Sequence, residues 1–162
     1  AKLEGNRDLR LNIIGDGPDK KRLEGIVIKK GLSESVVFHG FVSEEEKGSI
    51  IGSCSCLLTL SSHESFGITI IEAAKHGLRV IASEIPPHRE LATILGEGVS
   101  IVNPRDVIGT AELIIDCINN KKRPVFHNIE DFSWERNIER LLRIYEQTIT
   151  DFRERETSDE SF

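Results

Sequence analysis

The chain has 162 residues, 38% hydrophobic and 30% charged, which is enough for one domain with a core of its own. A net charge of −6 argues against a nucleic-acid surface, and no apolar run approaches the ~20 residues that span a bilayer. Three cysteines, two of them alternating at 54 and 56, form neither a disulfide framework nor a C-x-x-C loop, so they read as packing residues. With no basic, apolar leader at the start, a cytoplasmic home is the expectation.

Ala1–Arg10 reads as a helix end or linker, and Leu9–Ile14 as a short strand stopped by Gly15-Asp16-Gly17-Pro18. This Gly-x-Gly does not make a dinucleotide fingerprint, because the third small residue would fall at Lys20. Asp19–Lys30 has the spacing of a helix with Leu23, Ile26 and Val27 on one stripe, closed by Gly31. Val36–Phe41 is the next strand, with His39 read as a satisfied strand histidine, and Ser43 with Glu46 forms a capping-box pattern for a second helix.

The apolar strand Cys54–Leu60 leads into residues 61–76, around which the chain is organised. Two serines and a glycine-containing turn precede a helix expected to start near Phe66. Unpaired N–H groups of Phe66, Gly67 and Ile68 at the positive end of the helix dipole make an anion site, and Gly67 allows close approach to the backbone. Glu64 before the helix and Glu72 within it have seven residues between them. Carboxylates so placed suit the hydroxyls of a ligand whose phosphate sits on the helix start. The plainer alternative is a Glu72–Lys75 surface pair. The helix is apolar on most sides, however, and an acid within it calls for a partner.

Gly77 closes that helix, and Arg79–Ser83 is a nearly continuous apolar strand of the buried parallel kind. Pro86 and Pro87 end it and start a new helix. Ser100–Val102 is a last strand and Val107–Asn119 a helix. Ser133 caps a final helix whose buried face is expected to be Ile138, Leu141, Leu142 and Tyr145, with Trp134 as a packing residue. The clusters Lys20-Lys21-Arg22 and Lys121-Lys122-Arg123 read as solvated, and residues 153–162 as a disordered charged tail.

Strands alternating with helices predict an α/β domain with a Rossmann-like parallel sheet flanked by helices, with ligands beyond the carboxyl ends of the strands. The stretch from His63 to Ala73 resembles the E-x7-E motif of the group 1 family of retaining, nucleotide-sugar-dependent glycosyltransferases of GT-B architecture. The resemblance continues through residues 11–18, 36–42, 79–83 and 132–135, covering roughly residues 9 to 148.

The resemblance implies that residues 1–152 are part of a nucleotide-sugar-binding domain, the C-terminal half of a GT-B fold lacking its first strand. It implies Glu72 on the ribose hydroxyls, and Ser65, Phe66, Gly67 and Ile68 at the phosphate or sugar. Glu64 would be the catalytic carboxylate, near the reacting carbon. It also places Gly15 on the donor cleft and Phe41 and Val42 near the base. The prolines at 86 and 87 replace a glycine-rich turn of the family, so no ligand role is carried onto His88 or Arg89. No cofactor or metal is expected, since no Asp-x-Asp occurs.

In a doubly wound order the absent strand is the central one, so this chain alone is expected to have little or no transferase activity. Its partner would be an acceptor-binding N-terminal domain, through which the enzyme could meet a membrane surface. Two other readings stay open: a non-enzymatic nucleotide-binding or assembly module of the same fold, and a sugar-nucleotide epimerase of similar architecture.

Overall fold

The computed structural model describes residues 9–120 and 122–159. Five strands and six helices follow in order: β1 Leu11–Ile14, α1 Lys20–Lys29, β2 Val36–Gly40, α2 Glu44–Ser53, β3 Cys56–Thr59, α3 Ile68–Lys75, β4 Arg79–Ser83, α4 Pro86–Leu95, β5 Val99–Val102, α5 Val107–Asn119 and α6 Trp134–Asp159. A single 3-10 turn, Ile129–Phe132, precedes α6.

All strand pairing is parallel, but the strands form two sheets. One pairs β1 with β2, and the other has the order β3-β4-β5. Among the described residues, one edge of β1 and one edge of β3 are unpaired. The break separates β1 and β2 from β3, β4 and β5, whereas a doubly wound fold has one continuous sheet.

The core belongs to the three-stranded half. Residues along β4 alternate between its faces, as the period of two requires. Val80 and Ala82 pack with Ile70, Ile71, Ala73 and Ala74 of α3 and Leu91 and Leu95 of α4. Ile81 turns the other way to Val102 and to Cys117 of α5, with Cys56, Leu58, Leu113 and Ile114 around them. Helices therefore cover both faces, which explains the unbroken apolar run of β4. Complete burial of Ile70, Ile81 and Leu95 stabilises by about 1.5–3 kcal/mol for each side chain. The two-stranded half is thinner: Leu23 and Ile26 of the α1 stripe stay 38% and 39% exposed.

Local signals explain most boundaries. The Ser43 hydroxyl accepts the Glu46 N–H at 3.2 Å, as the capping box requires. Pro86 and Pro87 open α4, where a missing N–H costs no helical bond. The Ser133 hydroxyl accepts the Arg136 N–H at 3.2 Å. Asp106 caps α5 by accepting the Gly109 N–H at 2.9 Å.

Three expectations need correction. The α6 face predicted to be buried is open: Ile138, Leu141, Leu142 and Tyr145 are 48–56% exposed and Trp134 is 81% exposed. Helical spacing defines which side is apolar, but α6 packs chiefly on the 3-10 turn before it, and this face stays uncovered. Its backbone stays helical through Asp159, past the expected start of a disordered tail. Arg and Glu, which dominate residues 153–156, are good helix formers and can prolong an established helix. Residues 160–162 of that tail, like Ala1–Asp8 of the expected linker and Lys121, lie outside the described residues. Finally, Arg123 is not merely solvated, since its guanidinium donates to the carbonyls of His76 and Gly52 and ties the ends of α2 and α3 together.

Candidate functional site

Every predicted site residue lies at the carboxyl ends of the strands or in the helix that follows. Gly15 follows β1 with φ +115°, and its N–H donates to the Gly40 carbonyl at 2.8 Å. Phe41 and Val42 follow β2, which stops at Gly40, one residue before the predicted end. Phe41 is 86% exposed. The loop from Leu60 to Gly67 leaves β3 and carries Glu64, Ser65 and Phe66. Gly15, Phe41 and Val42 thus follow strands of the two-stranded sheet, and the 64–72 segment follows the first strand of the three-stranded one.

Gly67 is the N-cap of α3 and adopts the left-handed conformation, φ 87° and ψ 43°. A Cβ there would lie 3.0 Å from Leu91 Cδ1 and 3.5 Å from His88 Cδ2, so glycine is needed for conformation and for space. The helix begins at Ile68, two residues later than expected. Because the Ile70 N–H closes on the Gly67 carbonyl at 3.0 Å, the unpaired donors of the helix start become Gly67, Ile68 and Thr69 rather than Phe66 to Ile68. Ile68 and Phe66 are 63% and 52% exposed, at the mouth of this helix start. Phe66 meets Phe132 edge-on with centroids 6.2 Å apart, a geometry that aromatic quadrupoles favour.

Glu64 is exposed, and its Oε1 accepts the Ser61 hydroxyl at 2.9 Å. Glu72 does have a partner, but not Lys75. Lys47 Nζ of α2 lies 2.8 Å from Glu72 Oε1 and 2.9 Å from Glu44 Oε2. The hydrogen bond to Glu72, followed by that to Glu44, holds the Lys47 ammonium above the ordinary lysine range. Lys47 and Glu72 are 24% and 30% exposed, so the pair orients a carboxylate while leaving it within reach of solvent. His39 is the satisfied strand histidine it was read to be, with Nε2 3.0 Å from Asn12 Oδ1.

Ser83 and His88, onto which no ligand role was carried, meet behind the Ser61–Gly67 loop. His88 is completely buried, its Nδ1 3.0 Å from the Ser83 carbonyl and 3.1 Å from the Ser83 hydroxyl. The Ser83 hydroxyl in turn donates to the Ser61 carbonyl at 2.5 Å. His88 Nε2 has no hydrogen-bond partner, which costs about 1–3 kcal/mol for a buried polar atom. The available signal was position, since His88 lies in the first turn of α4, five residues after the end of β4, with its ring 3.5 Å from where a Cβ on Gly67 would sit.

The fold is of the parallel α/β class, with a helix started by glycine and flanked by two carboxylates after one of its strands. The chain belongs to the glycosyl transferases group 1 family, whose model matches residues 1–130. It is 29% identical over 148 residues to the uncharacterized glycosyltransferase MJ1178 of Methanocaldococcus jannaschii, covering 86% of this chain and 41% of that protein. It is 36% identical over 113 residues to the GDP-mannose:cellobiosyl-diphosphopolyprenol alpha-mannosyltransferase of Xanthomonas oryzae pv. oryzae, covering 68% of this chain and 29% of that protein. Anabaena HepE, solved in complex with UDP, superposes with a TM-score of 0.58 at 23% identity over 71% of this chain and 32% of that one. The chain therefore spans less than half the length of these relatives. Among the described residues, no helix is long and apolar enough to cross a membrane.

Proposed function

We propose that this chain binds a nucleotide-diphosphate-sugar and serves as the donor-holding part of a hexosyltransferase that retains anomeric configuration. The observation that carries the reading is the 64–72 segment. One exposed carboxylate is held by a serine, a second is held by a lysine, and an uncapped helix start lies between them. In this reading the diphosphate lies on the N–H groups of Gly67, Ile68 and Thr69, with Ser65 and Phe66 beside it. The ribose hydroxyls donate to Glu72, and a sugar hydroxyl near the reacting carbon donates to Glu64. Gly15, Phe41 and Val42 face the nucleotide from the other side of the split. The UDP complex of HepE and the GDP-mannose donor in the name of the Xanthomonas relative support a nucleotide donor.

The acceptor would be held by a further, N-terminal domain of the intact enzyme, so sugar transfer is a property of that enzyme rather than of these residues alone. The test is a thermal melt with UDP, GDP, ADP and their sugar conjugates, beside a Glu72→Ala variant. At ~100 times its dissociation constant a nucleotide adds about 2.7 kcal/mol, read as a rise of roughly 5–10 °C. The reading expects one base to give that rise and Glu72→Ala to abolish it. A cooperative melt that no nucleotide moves would overturn it.

A further inference from the structure

We infer that Ser83 and His88 are positioning residues that set the place of Glu64 through the loop carrying it; this rests on the donor-site reading above. The loop from Ser61 to Gly67 meets the buried pair at both ends. At its start, the Ser61 carbonyl accepts the Ser83 hydroxyl at 2.5 Å. At its end, a Cβ on Gly67 would be 3.5 Å from the His88 ring. Between them, the Ser61 hydroxyl holds Glu64 Oε1 at 2.9 Å. A displacement of Ser61 is therefore passed directly to the Glu64 carboxylate.

The hydrogen-bond directions form one consistent chain. The Ser83 carbonyl can only accept, so His88 Nδ1 carries the proton and donates to that carbonyl and to the Ser83 hydroxyl. The Ser83 hydroxyl then has its own proton for Ser61. In this tautomer Nε2 carries a lone pair, and it is the atom without a partner. Packing alone would be served by an apolar side chain at this completely buried position. A histidine whose second nitrogen is unsatisfied is explained by what its first nitrogen does.

The experiment uses the intact enzyme and the variants Ser83→Ala, His88→Leu and His88→Asn. Leucine and asparagine have similar size, but only asparagine places an N–H where Nδ1 stands. Ser83→Ala and His88→Leu are expected to lower turnover with a saturating nucleotide-sugar on the order of tenfold, since small misplacements of reacting groups act on the chemical step. KM for the donor stays within about threefold, because Glu72 and the backbone N–H groups of Gly67, Ile68 and Thr69 are all retained, and His88→Asn recovers most of the turnover. Loss confined to KM, unchanged turnover, or His88→Asn as impaired as His88→Leu would overturn the inference.

Long-range 1H–15N correlation of the histidine rings supplies a readout independent of activity. The Nδ1–H tautomer at His88 supports the relay, and the Nε2–H tautomer sinks it. Should the intact protein transfer no sugar from UDP, GDP or ADP conjugates, the donor-site reading has failed and the tautomer alone decides the relay. Should His88→Leu not fold, Ser83→Ala carries the kinetic comparison.

Discussion

Lys47 of α2 reaches Glu72 of α3 with Nζ 2.8 Å from Oε1, joining two helices that are separated in sequence by β3 and the loop bearing Glu64. The ammonium also meets Glu44 of its own helix at 2.9 Å. Removing it as Lys47→Met should destabilise the fold by about 1 kcal/mol, the upper range for a partly exposed pair. The pH dependence follows from the direction of the shift. The folded state binds the Lys47 proton more tightly than the unfolded chain. This contribution is fully present below the ordinary lysine value of 10.5 and is lost as pH rises through the higher folded value. Denaturant melts of the two proteins should therefore keep a constant gap between pH 6 and 9 that closes above about 10.5.

Gly67→Ala should lower stability by about 1.5 kcal/mol, because alanine resists the left-handed conformation and its methyl would press on Leu91. For a chain of this size that is a fall of roughly 3–6 °C in Tm. An unchanged Tm would show that the helix start can be rebuilt without glycine.

Core and α6 substitutions should separate sharply. Ile81 is 0% exposed between β3, β5 and α5, so Ile81→Ala should cost about 3 kcal/mol. Leu142 on α6 is 54% exposed, and Leu142→Ala in this chain should cost under about 1 kcal/mol. Comparable losses in urea melts would place α6 against the domain rather than away from it.

The cysteines offer a chemical check on burial. The adjacent Cys117 thiol, followed by burial, pushes the Cys56 thiol up, and Cys56 in turn draws the Cys117 thiol down, but Cys117 is only 7% exposed. Both should resist a thiol reagent at pH 8 in the native protein and react at once in guanidinium, since only an accessible thiolate is reactive. Rapid native labelling of Cys117 would contradict the packing of α5 on β3.

Excess EDTA should leave donor binding and transfer unchanged, because the reading assigns the diphosphate to backbone N–H groups. A loss of transfer restored by Mg2+ or Mn2+ would reassign it to a metal.

Where the chain carries its own punctuation, the sequence anticipates the structure closely. Ser43 with Glu46, the Pro86-Pro87 pair and Val107–Asn119 mark helices where helices stand, because caps and prolines act on their own backbone. The glycine-containing turn before α3 was legible for the same reason. Non-local pairings were not. Nothing in the local pattern around Glu72 says that its partner is Lys47, 25 residues earlier. Nor does the pattern around His88 show that it lies beneath Gly67. The α6 stripe shows the complementary limit: helical period reveals an apolar face but not what, if anything, covers it.

The division of the strands into two ladders has a thermodynamic consequence. Across the break the chain relies on contacts through α2, among them Lys47 with Glu72 and Asn12 Nδ2 with Cys54 Sγ at 3.6 Å. Among the described residues, no strand ladder joins the Gly15 side to the Gly67 side. A molecule that touches both sides adds a connection that the ladders do not make, and any shift of the two halves that it requires lowers its measured affinity by that work. Anything that stiffens the break would tighten binding without adding a single contact to the ligand.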